Sequence, residues 1–133
     1  MIEATLLDLL TDDAPASISA IGGRVHFGVL PKGTLYPALR VSQISITPPE
    51  LRSDASRHPL KEERYQIDVS AKTYLESKNL ATAIQAHLDC YQGAHDDETI
   101  ELIELIDVRP GHDTGTDTHD TSIDITIKYR SNP

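Results

Sequence analysis

At 133 residues, with a net charge of −9 and a lone cysteine at Cys90, the chain is sized for one domain and cannot close an internal disulfide. The acidic balance argues against tight binding to nucleic acid, which rests on Lys and Arg neutralising phosphates. One Phe, five Tyr and no Trp leave the core to Leu, Ile, Val and Ala, and no run approaches the ~20 apolar residues that span a bilayer.

Ile2, Leu6, Leu9 and Leu10 mark one face of a short N-terminal helix, which Asp12-Asp13-Ala14-Pro15 ends. Ile18 and Ile21 suggest a further helical turn, closed by Gly22 and Gly23. Val25, Phe27 and Val29 alternate as a first strand, and Pro31-Lys32-Gly33 turns the chain. Ala38 to Ile46 reads as a second strand with a slip in phase. Leu39 and Val41 are odd-numbered, whereas Ile44 and Ile46 are even, and a bulge near Ser42-Gln43 reconciles them. From Thr47 to Glu62 the chain turns polar and proline-bearing. Such a stretch reads as a flexible loop, because it buries too little apolar surface to offset its ordering entropy.

The segment from Glu63 to Tyr91 carries the most information. Tyr65, Ile67, Val69 and Ala71 share one face of a strand, and Arg64, Gln66, Asp68, Ser70 and Lys72 share the other. Thr73-x-x-Glu76 offers a capping box for the helix that follows, with Leu80, Ala81, Ile84, Leu88 and Tyr91 at helical spacing towards Gly93. Thr99 to Val108 is ambiguous. Its acids recur every third residue, as on a helix, but Ile100, Ile103, Ile106 and Val108 are β-branched and decide for a strand. Pro110 to Asp120 reads as a second flexible polar loop. Ile123, Ile125, Ile127 and Tyr129 then alternate with Asp124, Thr126, Lys128 and Arg130 in a last strand.

These elements predict an α+β fold: a single domain over residues 1–133, with a mostly antiparallel sheet of four to five strands and two main helices on one face. Leu6, Leu10, Val69, Ile84, Leu88, Ile125 and Ile127 should form its core.

The segment richest in chemistry is His112-Asp-Thr-Gly-Thr-Asp-Thr-His119-Asp120, since imidazoles and carboxylates are metal ligands. It supports a second reading, a small metal-binding domain or enzyme. Its spacing fits no cage, however: an EF-hand begun at Asp113 would place Thr118 where Gly is needed and Ile123 where Glu is needed. Cys90, with Leu88 and Tyr91 beside it near a helix end, reads as a packed thiol, and His87 as a packed histidine beside the apolar stripe. Phosphate loops, dinucleotide fingerprints and nucleophile elbows are absent from the sequence. No catalytic, cofactor or metal residue is therefore assigned. The polar strand faces supply instead an assembly surface of Gln66, Asp68, Lys72, Asp124, Lys128 and Arg130.

Three segments, in order and at matching spacing, resemble the small tail-completion or tail-terminator proteins of long-tailed bacteriophages. The first is the opening Met1–Leu10 helix followed by Gly22-Gly-Arg-Val25. The second is Val29-Leu-Pro-Lys-Gly33 leading into Leu35-Tyr-Pro-Ala-Leu39. The third is Glu63-Arg-Tyr-Gln-Ile-Asp-Val69 passing into the helix that carries Leu80-Ala-Thr-Ala-Ile84, and the final Ile127-Lys-Tyr-Arg130 also fits. The resemblance implies a non-enzymatic virion protein with an α+β fold; the alternatives are the metal-binding domain or enzyme above and a non-phage protein–protein adaptor. The virion protein would form a ring, expected to be hexameric, that caps the tail tube, ends its polymerisation and presents a surface to the head connector. Expected partners are further copies of the chain, the tail tube protein and the head-completion protein, with no cofactor, nucleic acid or membrane. The start of the chain lacks the pattern of a signal peptide, so the expected location is the host cytoplasm during assembly and then the virion.

Overall fold

The computed structural model describes residues 2–11, 14–15, 18, 21, 23–47, 60–95 and 97–131. The Asp12-Asp13 stop, Gly22 and residues 48–59 of the Thr47–Glu62 stretch lie outside them, while Thr47, Lys61 and Glu62 at its ends belong to strands and not to a loop. Among the described residues the elements run α1 (Ile2–Leu10), β1 (Val25–Phe27), β2 (Ala38–Thr47), β3 (Lys61–Ala71), α2 (Tyr74–Leu88), β4 (Gly93–Ala94), β5 (Glu98–Asp113) and β6 (Thr118–Ser131).

The strands form one sheet in the order β1-β2-β3-β6-β5-β4, antiparallel except for the β1–β2 pair. The class is α+β as expected, but the sheet is six-stranded and mixed instead of four- to five-stranded. The strand the sequence hid is β4, which pairs Gly93 with Ile100 and Ala94 with Thr99. Two residues carry no period, so only backbone pairing defines it. β1 runs parallel to β2 because the connection 28–37 returns the chain to the end of the sheet where β1 began. Val29 does not continue β1. Gly28, at φ 87°, turns the chain there and leaves Val29 exposed.

The alternation in β3 works as its pattern dictates: Tyr65, Ile67, Val69 and Ala71 are fully buried. They meet Ile123, Ile125 and Ile127 of β6 across the sheet, and Leu80, Ala81, Ile84 and Leu88 of α2 and Ile2, Leu6, Leu9 and Leu10 of α1 close the same core. Thr73 caps α2, its Oγ1 accepting from the Glu76 amide at 3.2 Å. Ile18 and Ile21 join the core as well, and the Ile18 amide donates to the Pro15 carbonyl at 3.1 Å, as a tight helical turn requires. All seven predicted core residues are at most 1% exposed.

Four further expectations resolve. The bulge in β2 is present, with the register shifting between Gln43 and Ser45. Cys90 is exposed, not packed. It is the second residue past α2, takes φ 60° and lends its amide to the Ile103 carbonyl at 2.9 Å, a turn that points the thiol away from the core. His87 is packed as expected, with Nε2 2.8 Å from the Leu9 carbonyl, joining α2 to α1. The Pro110–Asp120 segment is not a loop: strand pairing continues through His112↔His119 to Asp113↔Thr118, leaving a turn at 114–117. Its composition misled because both faces of the hairpin there are largely exposed, so no apolar alternation marks the strands.

Candidate assembly surface

The face of the sheet away from the helices is built by alternation in β3 and β6. The register sets Glu62 beside Lys128, Gln66 beside Asp124 and Asp68 beside Ser122. All of these side chains therefore lie across adjacent strands on one side.

Charge on this face is arranged in two centres. Asp124 accepts a fork from Arg109, Nη1 to Oδ2 at 2.8 Å and Nη2 to Oδ1 at 3.3 Å, and a further bond from Arg64 Nη2 at 3.3 Å. The hydrogen bonds from Arg109 hold the Asp124 carboxyl below its ordinary range against the opposing effect of burial. Arg109 is in turn pushed up by Asp124 and by Asp107, whose Oδ2 lies 2.7 Å from Nη1. Asp68 accepts from Arg40 Nη2 at 2.6 Å, Ser122 Oγ at 2.6 Å and Gln66 Nε2 at 2.9 Å. Both carboxylates are only 5% exposed, so the cations cover them and form the outer layer. Towards the other end Lys128 Nζ contacts Glu104 at 2.7 Å, which raises its pKa, and Arg130 Nε lies 3.4 Å from Glu101.

Lys72 stands apart from these centres. Its Nζ donates to the Thr116 carbonyl at 3.3 Å and sits 5.0 Å from the centre of the Tyr36 ring. It thus ties the 28–37 connection to the tip of the β5–β6 hairpin, beside a cleft of about 350 Å³ lined by Pro31, Tyr36, Arg40, Asp68 and Asp120. Of the six residues assigned to the surface, Gln66, Asp68 and Asp124 are brought together, whereas Lys72, Lys128 and Arg130 are spread along its length. Arg109 was missed, though Asp107-Val108-Arg109 already alternates wet and dry residues within a strand. Its pairing with Asp124 depends on a fold-back of β5 on β6 that no local pattern states.

The His112–Asp120 segment forms the hairpin tip. His112 and His119 are cross-strand neighbours with ring centroids 4.8 Å apart, and His112 Nε2 lies 3.1 Å from Asp117 Oδ1. Among the described residues no three of His, Cys, Asp or Glu converge to hold a metal ion.

A buried polar cluster closes the opposite, core-facing side. Glu63 accepts from Tyr65 Oη at 2.8 Å, from Gln43 Nε2 at 2.7 Å and from Tyr129 Oη. Burial, reinforced by the hydrogen bonds to Glu63, pushes both phenols well above their ordinary 10.0. The folded protein keeps these protons while an unfolded chain sheds them, so stability should fall as pH rises past 10.0. Asp124 works at the other limit. Its stabilisation is present above the ordinary 3.8 and should be lost as pH drops through its lower folded value. Denaturant titrations across pH should therefore show a neutral plateau, with Tyr129→Phe flattening the alkaline fall and Asp124→Asn the acid one. Unchanged slopes in both variants would contradict the assignment.

The family model for tail completion protein gp17 matches residues 4–130. Among solved structures the chain is similar to one from the virion of a native gene transfer agent particle, at a TM-score of 0.63 and 16% identity, over 89% of this chain and 87% of that one. That likeness is one of fold. No curated protein matches the sequence.

Proposed function

Since this chain belongs to the tail completion protein gp17 family, we propose that it is a non-enzymatic structural component of a phage virion. Acting as one domain, it closes into a ring of six copies on the head-proximal end of the tail tube, ends tube growth and offers the head connector its docking surface. The family match over residues 4–130 carries this reading. The charged sheet face supports it. Gln66, Asp68, Lys72, Asp124, Lys128 and Arg130, with Arg40, Arg64 and Arg109, form a patterned polar surface whose carboxylates are already paired, leaving cations in the outer layer. Such a surface selects a partner by charge register more than by apolar area.

Its partners are further copies of the chain, the tail tube protein and the head-completion protein, met in the host cytoplasm and retained in the virion. With a net charge of −9 per subunit, a ring also repels DNA passing through its lumen and keeps it from adhering to the wall. Deleting the gene tests the reading. Heads should fill normally, while tails grow to uncontrolled length or fail to join heads, and both defects should be cured by supplying the protein. Infectious particles produced normally without it would refute the proposal.

A further inference from the structure

Among the described residues the sheet has two partly uncovered edges. On one side β1 pairs only with Leu39–Val41 of β2, so among the described residues nothing pairs with the outer side of β2 from Ser42 to Thr47. On the other side β4 pairs with Thr99 and Ile100, and the backbone beyond α2 reaches as far as Ile103. From Leu105 to Arg109 no strand pairs with the outer side of β5 among the described residues, up to Pro110, which has no amide to donate, although the Val108 amide donates to Asp107 Oδ1 at 2.9 Å. Uncovered edges invite strand addition, and proteins usually guard them with charge or irregularity.

Here the irregularities do the opposite. Each edge has a bulge, and the extra residue in each is an exposed isoleucine: Ile44 in β2, 49% exposed, and Ile106 in β5, 47% exposed. Ile46 adds to the first edge. These make three of the seven exposed large apolar side chains among the described residues.

The pairing segments carry no net charge, since Ser42–Thr47 has no charged residue and Leu105–Arg109 has only Asp107 and Arg109, but their flanks differ. Residues 23–47, which hold β1 and β2, carry Arg24, Lys32 and Arg40 and no carboxylate. Residues 89–113, which hold β4 and β5, carry eight carboxylates against the one base Arg109. Two β5 edges meeting would bring acidic flanks together, whereas the flanks of unlike edges attract. Direction agrees as well. β2 is antiparallel to β3, β3 to β6 and β6 to β5, so β5 runs opposite to β2. A neighbouring copy that continues the sheet therefore presents an antiparallel strand, the pairing that short edges accept most readily.

We infer that copies of this chain join head to tail by their sheet edges, with Ser42–Thr47 of one copy pairing with Leu105–Arg109 of the next, and Ile44, Ile46 and Ile106 covering one another. The contact is heterologous, so it propagates and closes into a ring when the rotation permits. This rests on the ring reading and specifies its interface.

Cysteine trapping on the full chain tests it. In a Cys90→Ser background, Ser45→Cys is combined with Asp107→Cys or, one step along the strand, with Glu104→Cys. Within one subunit β2 and β5 are three strand spacings apart, about 14 Å, too far for a disulfide. Mild oxidation should give a ladder of linked subunits ending in one closed species, while the chains with a single cysteine stop at dimers. Adding Ile44→Glu and Ile46→Glu should abolish the ladder while leaving circular dichroism and thermal unfolding intact. Large species in sedimentation without the ladder, or a ladder that survives the glutamates, would overturn the edge contact and leave the ring reading standing. A ladder that never closes would keep the edge contact and overturn the ring. No assembly and no ladder would overturn the edge contact.

Discussion

Ile125→Ala should lower the unfolding free energy by about 2–5 kcal/mol, read as a shift of the denaturant midpoint at constant slope. Ile125 is fully buried at the middle of the sheet, facing Tyr65 in β3 and Leu105 in β5. Truncation there removes apolar contacts on two strands and leaves a cavity that neither strand can collapse into without breaking its ladder. Ile84→Ala should behave alike, because Ile84 is the fully buried residue that α2 sets into the same core. Ile106→Ala is the control. Its side chain is 47% exposed at a strand bulge, so the loss should stay within about 0.5 kcal/mol in the free subunit. Equal losses at Ile106 and Ile125 would mean that the core is misplaced.

Removing the acceptor of the buried cluster should have an effect of similar size through a different cause. Glu63→Leu strands the hydroxyls of Tyr65 and Tyr129, which are 0% and 6% exposed and otherwise donate to that carboxylate. Each buried donor without an acceptor costs about 1–3 kcal/mol, so the pair should cost about 2–6 kcal/mol. Adding Tyr65→Phe and Tyr129→Phe in the same chain should recover most of the loss, since an apolar group needs no acceptor. A triple variant no more stable than Glu63→Leu alone would show that the loss comes from packing and not from the hydrogen bonds.

The two variants probe parts of the fold that differ in how far they can be read from sequence. Ile125 and Ile84 are legible as core because strand and helix periodicities are local. Every second residue of Tyr65–Ala71 and of Ile123–Tyr129 is apolar, and the helical spacing of Leu80, Ile84 and Leu88 follows a capping signal at Thr73. Glu63 was not legible. A carboxylate at a strand start reads as wet, and it becomes buried only because Gln43 and Tyr129, far away in the chain, converge on it. Arg109 is a similar case, as its role depends on Asp124 of the neighbouring strand.

The sequence by itself determined that the chain is α+β, where α1, α2 and the long strands lie, which side of each faces the core, that β2 slips phase, and that the family is that of phage tail-completion proteins. Those features follow from patterns within a few residues of one another, or from segments met in order. Only the tertiary structure decided that β1 lies parallel to β2, that Gly93–Ala94 is a strand, that Pro110–Asp120 is a paired hairpin and that Cys90 points to solvent. It alone placed the basic segment 23–47 and the acidic segment 89–113 at opposite edges of one sheet. Each of these depends on which backbone groups find partners across long sequence separations, and hydrogen bonding between distant strands leaves no period in the chain.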